Sequence, residues 1–174
     1  MSTEQEWEAS YRDRDAGEFA HPADGNARQA RKRVSADAVI RDETGRLLLV
    51  DPTYKPDWDL PGGMAEANEP PRDALRRELK EELNLGIPVG ELLCVDWVSP
   101  HGPWDDLLAF VFDGGTLPAD RARALHSVDP ELAAVRFWPP TEAARLLRPY
   151  VWRRTQAALT ALERGTARYL QDGR

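Results

Sequence analysis

Glu69, Arg77, Glu78, Glu81 and Glu82 fall in one stretch, LPGGMAEANEPPRDALRRELKEELNL, residues 60–85. Glu78 and Glu82 are four residues apart, and Glu78 and Glu81 are three apart. On a helix those spacings place the carboxylates on one face, where like charges repel. A hard divalent cation such as Mg2+ or Mn2+ removes that repulsion, because oxygen ligands suit it and it shares its remaining positions with water and substrate phosphates. Arg77 stands four residues before Glu81 and can fix that carboxylate or Glu69 through a two-pronged contact. Upstream, Gly62 and Gly63 let the backbone pass close to the acids, and Pro61 stiffens the approach.

The surrounding pattern supplies elements to position these groups. Leu75, Leu79 and Leu83 recur every four residues, which predicts a helix from about Pro71 to Leu83 with a buried leucine stripe. VSADAVI (34–40) alternates Val34, Ala36, Ala38 and Ile40 and reads as a strand; a turn at Gly45 leads to RLLLVD (46–51), so the pair reads as a hairpin. ELLCVDWV (91–98), DLLAFVFD (106–113) and VRFWP (135–139) read as further strands, with Asp113-Gly114-Gly115 closing the second. Thr141 is expected to cap a helix through about Leu147, and a last helix runs over roughly 149–163. Strands first, one central helix and helices at the end predict an α/β (α+β) fold, a mixed sheet covered by helices. The expected organisation is an arm over 1–33, a domain over 34–165 and a tail over 166–174. Trp7, Tyr11 and Phe19 would let the arm pack on the body or on another subunit.

The spacing from Gly63 to Leu85 is more specific than any of its parts. Gly63, five residues, Glu69, seven residues, Arg77-Glu78-Leu79, one residue, Glu81-Glu82, one residue, Asn84-Leu85 resembles the Nudix hydrolase box, G-x5-E-x7-R-E-U-x-E-E-x-G-U with U aliphatic. Asn84 stands where the pattern has glycine. That position follows a helix, where a left-handed residue is common and asparagine is next best after glycine.

The resemblance implies an α/β/α sandwich with a central mixed sheet. It implies hydrolysis of a nucleoside diphosphate linked to another moiety, with Mg2+ or Mn2+. Glu78, Glu81 and Glu82 would hold the metal with Gly63 nearby, and Arg77 and Glu69 would brace them. Glu81 is the first choice for general base, with Asp105, Asp106 and Glu131 as alternatives outside the box. Trp58 and Trp104 are candidate stacking surfaces for the substrate's ring, Trp97 reads as core packing, and Lys55 could meet a phosphate. Among the histidines only His101 falls on a plausible site loop. A proline at position 100, fifteen beyond the box, slightly favours ADP-ribose or a sugar nucleotide; nucleoside triphosphates stay open.

Composition bounds the partners. The chain has 174 residues, a net charge of −7 and one cysteine, Cys94, so no intrachain disulfide can form. Mean hydropathy is −0.59, with no apolar run long enough for a membrane span and no apolar leader at the N-terminus. A cytoplasmic protein is the expectation. The lone basic cluster, Arg28, Arg31, Lys32 and Arg33, reads as a solvated edge rather than a nucleic-acid face. The expected partner is a small diphosphate substrate, with a homodimer open because homodimers are frequent in that family.

Overall fold

Apolar residues on two opposite sheet faces, and not on one, organise the domain. In the computed structural model, which describes residues 25–174, the elements in order are β1 (Arg33–Asp42), β2 (Leu47–Pro52), β3 (Gly62–Met64), α1 (Pro71–Leu83), β4 (Leu92–Val98), β5 (Leu107–Leu117), α2 (Ala119–Ala124), β6 (Leu132–Trp138), α3 (Pro140–Leu146), α4 (Pro149–Arg164) and β7 (Arg168–Gln171). The sheet order is β6-β2-β1-β5-β4-β7, with β3 paired to β1 beside it. β1–β5 and β4–β7 are parallel, and the other pairs are antiparallel, so the sheet is mixed. Residues 32–174 form one compact unit. Trp7, Tyr11 and Phe19 lie outside the described residues.

Strand alternation sorts the core. Ala36, Ala38, Ile40, Leu48 and Val50 pack under Leu75, Leu79 and Leu83 of α1, all nearly inaccessible. Val39, Leu47, Leu49, Leu93, Cys94 and Val111 face the other way and pack on Val151, Ala158 and Ala161 of α4. Val39 is therefore buried too, because both faces of β1 are covered. Each buried leucine of α1 contributes about 2 kcal/mol relative to exposure. The helix ends at Asn84, which takes φ 49° and ψ 32°. Its amide and that of Leu85 bond back to the carbonyls of Lys80 and Leu79, both at 3.0 Å.

Several elements differ from expectation. Residues 62–64, not among the expected strands, form β3 against Ser35–Asp37 of β1. β5 runs on through Asp113-Gly114-Gly115 to Leu117. The diglycine there makes an irregularity in the β1–β5 register instead of an end, with Gly115 at φ +75°. Thr141 does not cap its helix. Pro139 holds the cap position without a side-chain bond and Pro140 opens the helix, since its fixed φ and missing N–H suit the first turn. α2 buries no residue, so no apolar period announced it. Past residue 165 the chain returns to the sheet, where β7 pairs with β4.

Candidate active site

β3 and α1 bring the box together, and Gly62 sets how closely. Its φ is +137°, and a Cβ there would lie 2.2 Å from the Ala36 carbonyl oxygen. Only glycine lets β3 press onto β1 at that point. The next residue meets the helix: a Cβ on Gly63 would lie 2.6 Å from the Glu78 carboxyl carbon. The Gly62 amide points toward Glu82 Oε2 at 3.4 Å.

Arg77 ties the acids to the loop. Its Nε and Nη2 donate to the two oxygens of Glu69 at 3.0 and 2.9 Å. Nη1 donates to Glu78 Oε1 at 2.9 Å and to Glu81 Oε2 at 3.0 Å, and Nη2 also reaches the Met64 carbonyl at 3.0 Å. Glu69 accepts the Glu66 amide at 2.8 Å as well. The Arg77 fork first, and that amide second, hold the Glu69 carboxyl down to about 2. The same pairing, with Glu69 its main cause, raises Arg77 above the ordinary guanidinium value. Replacing Arg77 by alanine is expected to lower activity about 10–100-fold, with a weaker apparent metal constant. A metal titration of the rate checks this; an unchanged rate and constant would leave Arg77 a surface charge.

Glu78 and Glu82 behave differently from Glu69. Burial raises Glu78, and Glu81 and Glu69 add repulsion against the relief from Arg77. Burial pushes Glu82 up to about 8, and Glu78, Asp37 and Asp129 repel it further. Asp37 of β1, paired opposite Gly62, rises to about 7, chiefly by burial, with Arg154 opposing. The Glu78 and Glu82 oxygens are hard donors, crowded and mutually repelling, which is the environment a divalent cation neutralises. Among the described residues no three such side chains already form a ligating cluster. Glu81 is turned onto Arg77 and is half exposed, so it would have to leave Arg77 to join Glu78 and Glu82.

The remaining expected residues scatter. A cavity of about 530 Å³ opens beside Gly63 and Glu82, and both Lys55 and Trp104 line it. Lys55 is half-buried and paired with Asp59. Trp104 is exposed, with the Arg33 guanidinium 4.6 Å from its ring centre. Trp58 is absent from the lining: it packs edge-on against Trp138, ring centres 5.5 Å apart, on the α4 side of the sheet. Asp106 is tied to Lys32 and accepts the Trp97 indole N–H at 2.8 Å, and both hold its carboxyl low. Asp105 and Glu131 are exposed, and neither lines the cavity. Cys94 is buried, and burial pushes its thiol up to about 12. Asp37, Asp59 and Arg154 also line the cavity and were missed. Asp37 carried a signal, a charge between the alanines of a strand; Arg154 lies among other polar residues of α4 and Asp59 in a loop outside the named elements, so neither stood out.

Comparisons with known proteins agree with this geometry. A profile of the NUDIX domain matches residues 31–160. A MutT-like protein of Streptomyces ambofaciens is 39% identical over 79 residues, covering 45% of this chain and 49% of that protein. The chain thus spans about half the length of that relative. A CTP pyrophosphohydrolase of Escherichia coli K12 is 33% identical over 108 residues, covering 59% of this chain and 80% of that protein. The NUDIX domain of Shewanella oneidensis NrtR, solved with ADP ribose, superposes with a TM-score of 0.64 at 21% identity, covering 88% of this chain and all (100%) of that one. That likeness carries the fold: an α/β/α arrangement around a mixed sheet. With the profile spanning most of the chain and the box acids gathered at β3 and α1, this protein belongs to the NUDIX domain family.

Proposed function

We propose that the protein hydrolyses a phosphoric anhydride bond in a nucleoside diphosphate derivative, with Mg2+ or Mn2+ held by Glu78, Glu82 and Glu81 beside Gly63. The observation that carries this reading is the junction of a crowded, repelling set of partly buried carboxylates with a cavity of about 530 Å³ that has aromatic rings in its wall. The cation would screen the diphosphate, polarise a phosphorus–oxygen bond and lower the pKa of a bound water. Arg77 and Glu69 keep the loop and helix in register. Glu81, the most exposed of the box acids, is the proposed base. Trp104 and the rest of the cavity hold the nucleoside. ADP-ribose or a sugar nucleotide is slightly favoured by Pro100, while the E. coli relative named for CTP keeps nucleoside triphosphates in the panel.

The test is a hydrolysis panel with Mg2+ or Mn2+. ADP-ribose, sugar nucleotides, nucleoside triphosphates, dinucleoside polyphosphates and prenyl diphosphates are compared side by side. Cleavage of one class supports the reading. Binding of one compound without turnover by any metal would make the protein a ligand-binding module instead.

The carboxylates give a second handle. Glu82 is raised to about 8 in the folded metal-free protein against 4.5 for the ordinary group. Its contribution to stability is therefore fully present below about 4.5 and is lost as pH rises through about 8. A cation reverses that loss. Divalent cations are expected to raise Tm more at pH ~8.5 than at pH ~6, and to release protons on binding near neutrality. Calorimetric titration in two buffers of different ionisation enthalpy reads the protons directly. No proton release and no gain in Tm would remove Glu82 from the cation site.

A further inference from the structure

The cavity has a charged floor that the phosphate chemistry does not use. Arg154 of α4 is 4% exposed and lines the cavity. Its Nε donates to Asp96 Oδ2 at 2.8 Å, and Asp96 is itself fully buried. The other Asp96 oxygen accepts the Gly173 amide at 3.0 Å, so the carboxylate is held from both sides. Nη1 of Arg154 lies 3.9 Å from Asp37 Oδ2, an ion pair too long for a hydrogen bond. Nη2 is buried with no partner among the described residues. Buried guanidinium nitrogens are rarely left unmet in a finished structure. A ligand that supplies an acceptor there would complete this one.

Charge decides what kind of acceptor. Asp37, Asp59 and Glu82 line the same cavity, and Asp96 lies directly behind Arg154. Lys55 is already paired with Asp59. Two carboxylates, Asp96 at 2.8 Å and Asp37 at 3.9 Å, already flank the one Arg154 guanidinium, so a phosphate or carboxylate reaching Nη2 would meet local negative charge, even though Arg33 and Arg148 line the cavity elsewhere. A neutral polar group is not repelled by it. Tyr54 and Trp104, both well exposed, and Tyr150 add flat surface to the lining. A flat neutral ring with a hydrogen-bonding edge fits; an isoprenoid chain would leave Arg154 unmet.

We propose that Arg154 and Asp37 are specificity-determining residues that read the hydrogen-bonding edge of a nucleobase, Arg154 Nη2 donating to a ring acceptor and the Asp37 carboxylate accepting from a neighbouring N–H. Asp96 is a positioning residue that locks the guanidinium. The proposal rests on the cavity being the substrate site.

The experiment measures binding apart from hydrolysis. Adenosine, guanosine, cytidine and uridine monophosphates are titrated into the metal-free protein, with ribose 5-phosphate as the reference lacking a base. The expected result is at least one nucleotide binding about 10-fold or more tighter than ribose 5-phosphate, with a shift of the Arg154 side-chain nitrogen signals in a 15N spectrum. Asp37→Asn should change the ranking of the four bases. With a cleaved substrate its loss should fall on KM and leave the metal constant in place. Equal binding of ribose 5-phosphate and all four nucleotides would overturn the proposal even if a diphosphate is hydrolysed. So would a fall in kcat with a weakened metal constant, which would put Asp37 in the cation cluster. Base-dependent binding without any turnover would uphold the proposal and overturn the hydrolase reading instead.

Discussion

Replacing Glu82 by glutamine is expected to cut turnover on the order of 10³-fold while leaving the fold intact. The amide keeps the shape of the carboxylate, so α1 and its leucine stripe have no reason to move. The change removes one negative charge beside Glu78 from the proposed cation set. Cation affinity falls with it, and so does the screening that lets water approach a diphosphate. Stability should move the other way. Wild-type Glu82 destabilises the metal-free fold as pH rises through about 8, and glutamine has no proton to lose. The variant's Tm without cation should therefore match the wild type's below pH ~4.5 and exceed it progressively as pH rises toward ~8 and beyond. Rate and melting curves on one preparation read both effects. Near-normal turnover would sink the placement of the cation at α1.

The second large effect is on folding. Gly62→Ala puts a methyl group 2.2 Å from the Ala36 carbonyl oxygen and 2.8 Å from the Asp37 Cα, at φ +137°. Both obstacles are backbone, and the dihedral is one that L side chains rarely adopt. β3 must then peel from β1 or the strand must distort. A loss of about 4 kcal/mol is expected, which lowers Tm by roughly 10 °C in a chain of this size. Denaturant unfolding gives the number. A loss below about 1 kcal/mol would mean β3 relaxes freely, and the close β1–β3 contact would then not set the site's geometry.

The box and the helix were legible because their information is local. Leu75, Leu79 and Leu83 announce a buried stripe at one spacing, and Glu78, Glu81 and Glu82 announce a charged face at the same spacing. Arg77 and Glu69, eight residues apart, are joined by a short loop and about two helical turns. The floor of the cavity was illegible for the converse reason. Arg154 meets Asp96 across 58 residues, and Asp37 joins them only because β1 and β4 both flank β5. No spacing encodes that sheet order. Trp58 shows the same limit. An indole asks for cover, but the face that covers it, here Trp138 and α4 residues instead of the cavity, is settled by tertiary packing. Short elements failed for lack of signal: β3 is three residues of Gly-Gly-Met, and α2 has no buried face. Lys55 had a partner four residues away, Asp59, yet the pair forms because Asp59 is bridged to Val50 of β2.

Asn84 has a consequence for ancestry. Most letters of the box name a functional group, but the one at position 84 stores an angle: φ 49° after the last helical turn. Any residue able to hold that angle transmits the box intact, and glycine, asparagine and aspartate hold it at least cost. Glycine and asparagine codons differ at two bases, and an aspartate codon lies one change from each. A lineage could therefore walk from one to the other without passing through a broken helix end. A signature written with glycine fixed at that place would pass over descendants that took this walk, although their carboxylates had never moved.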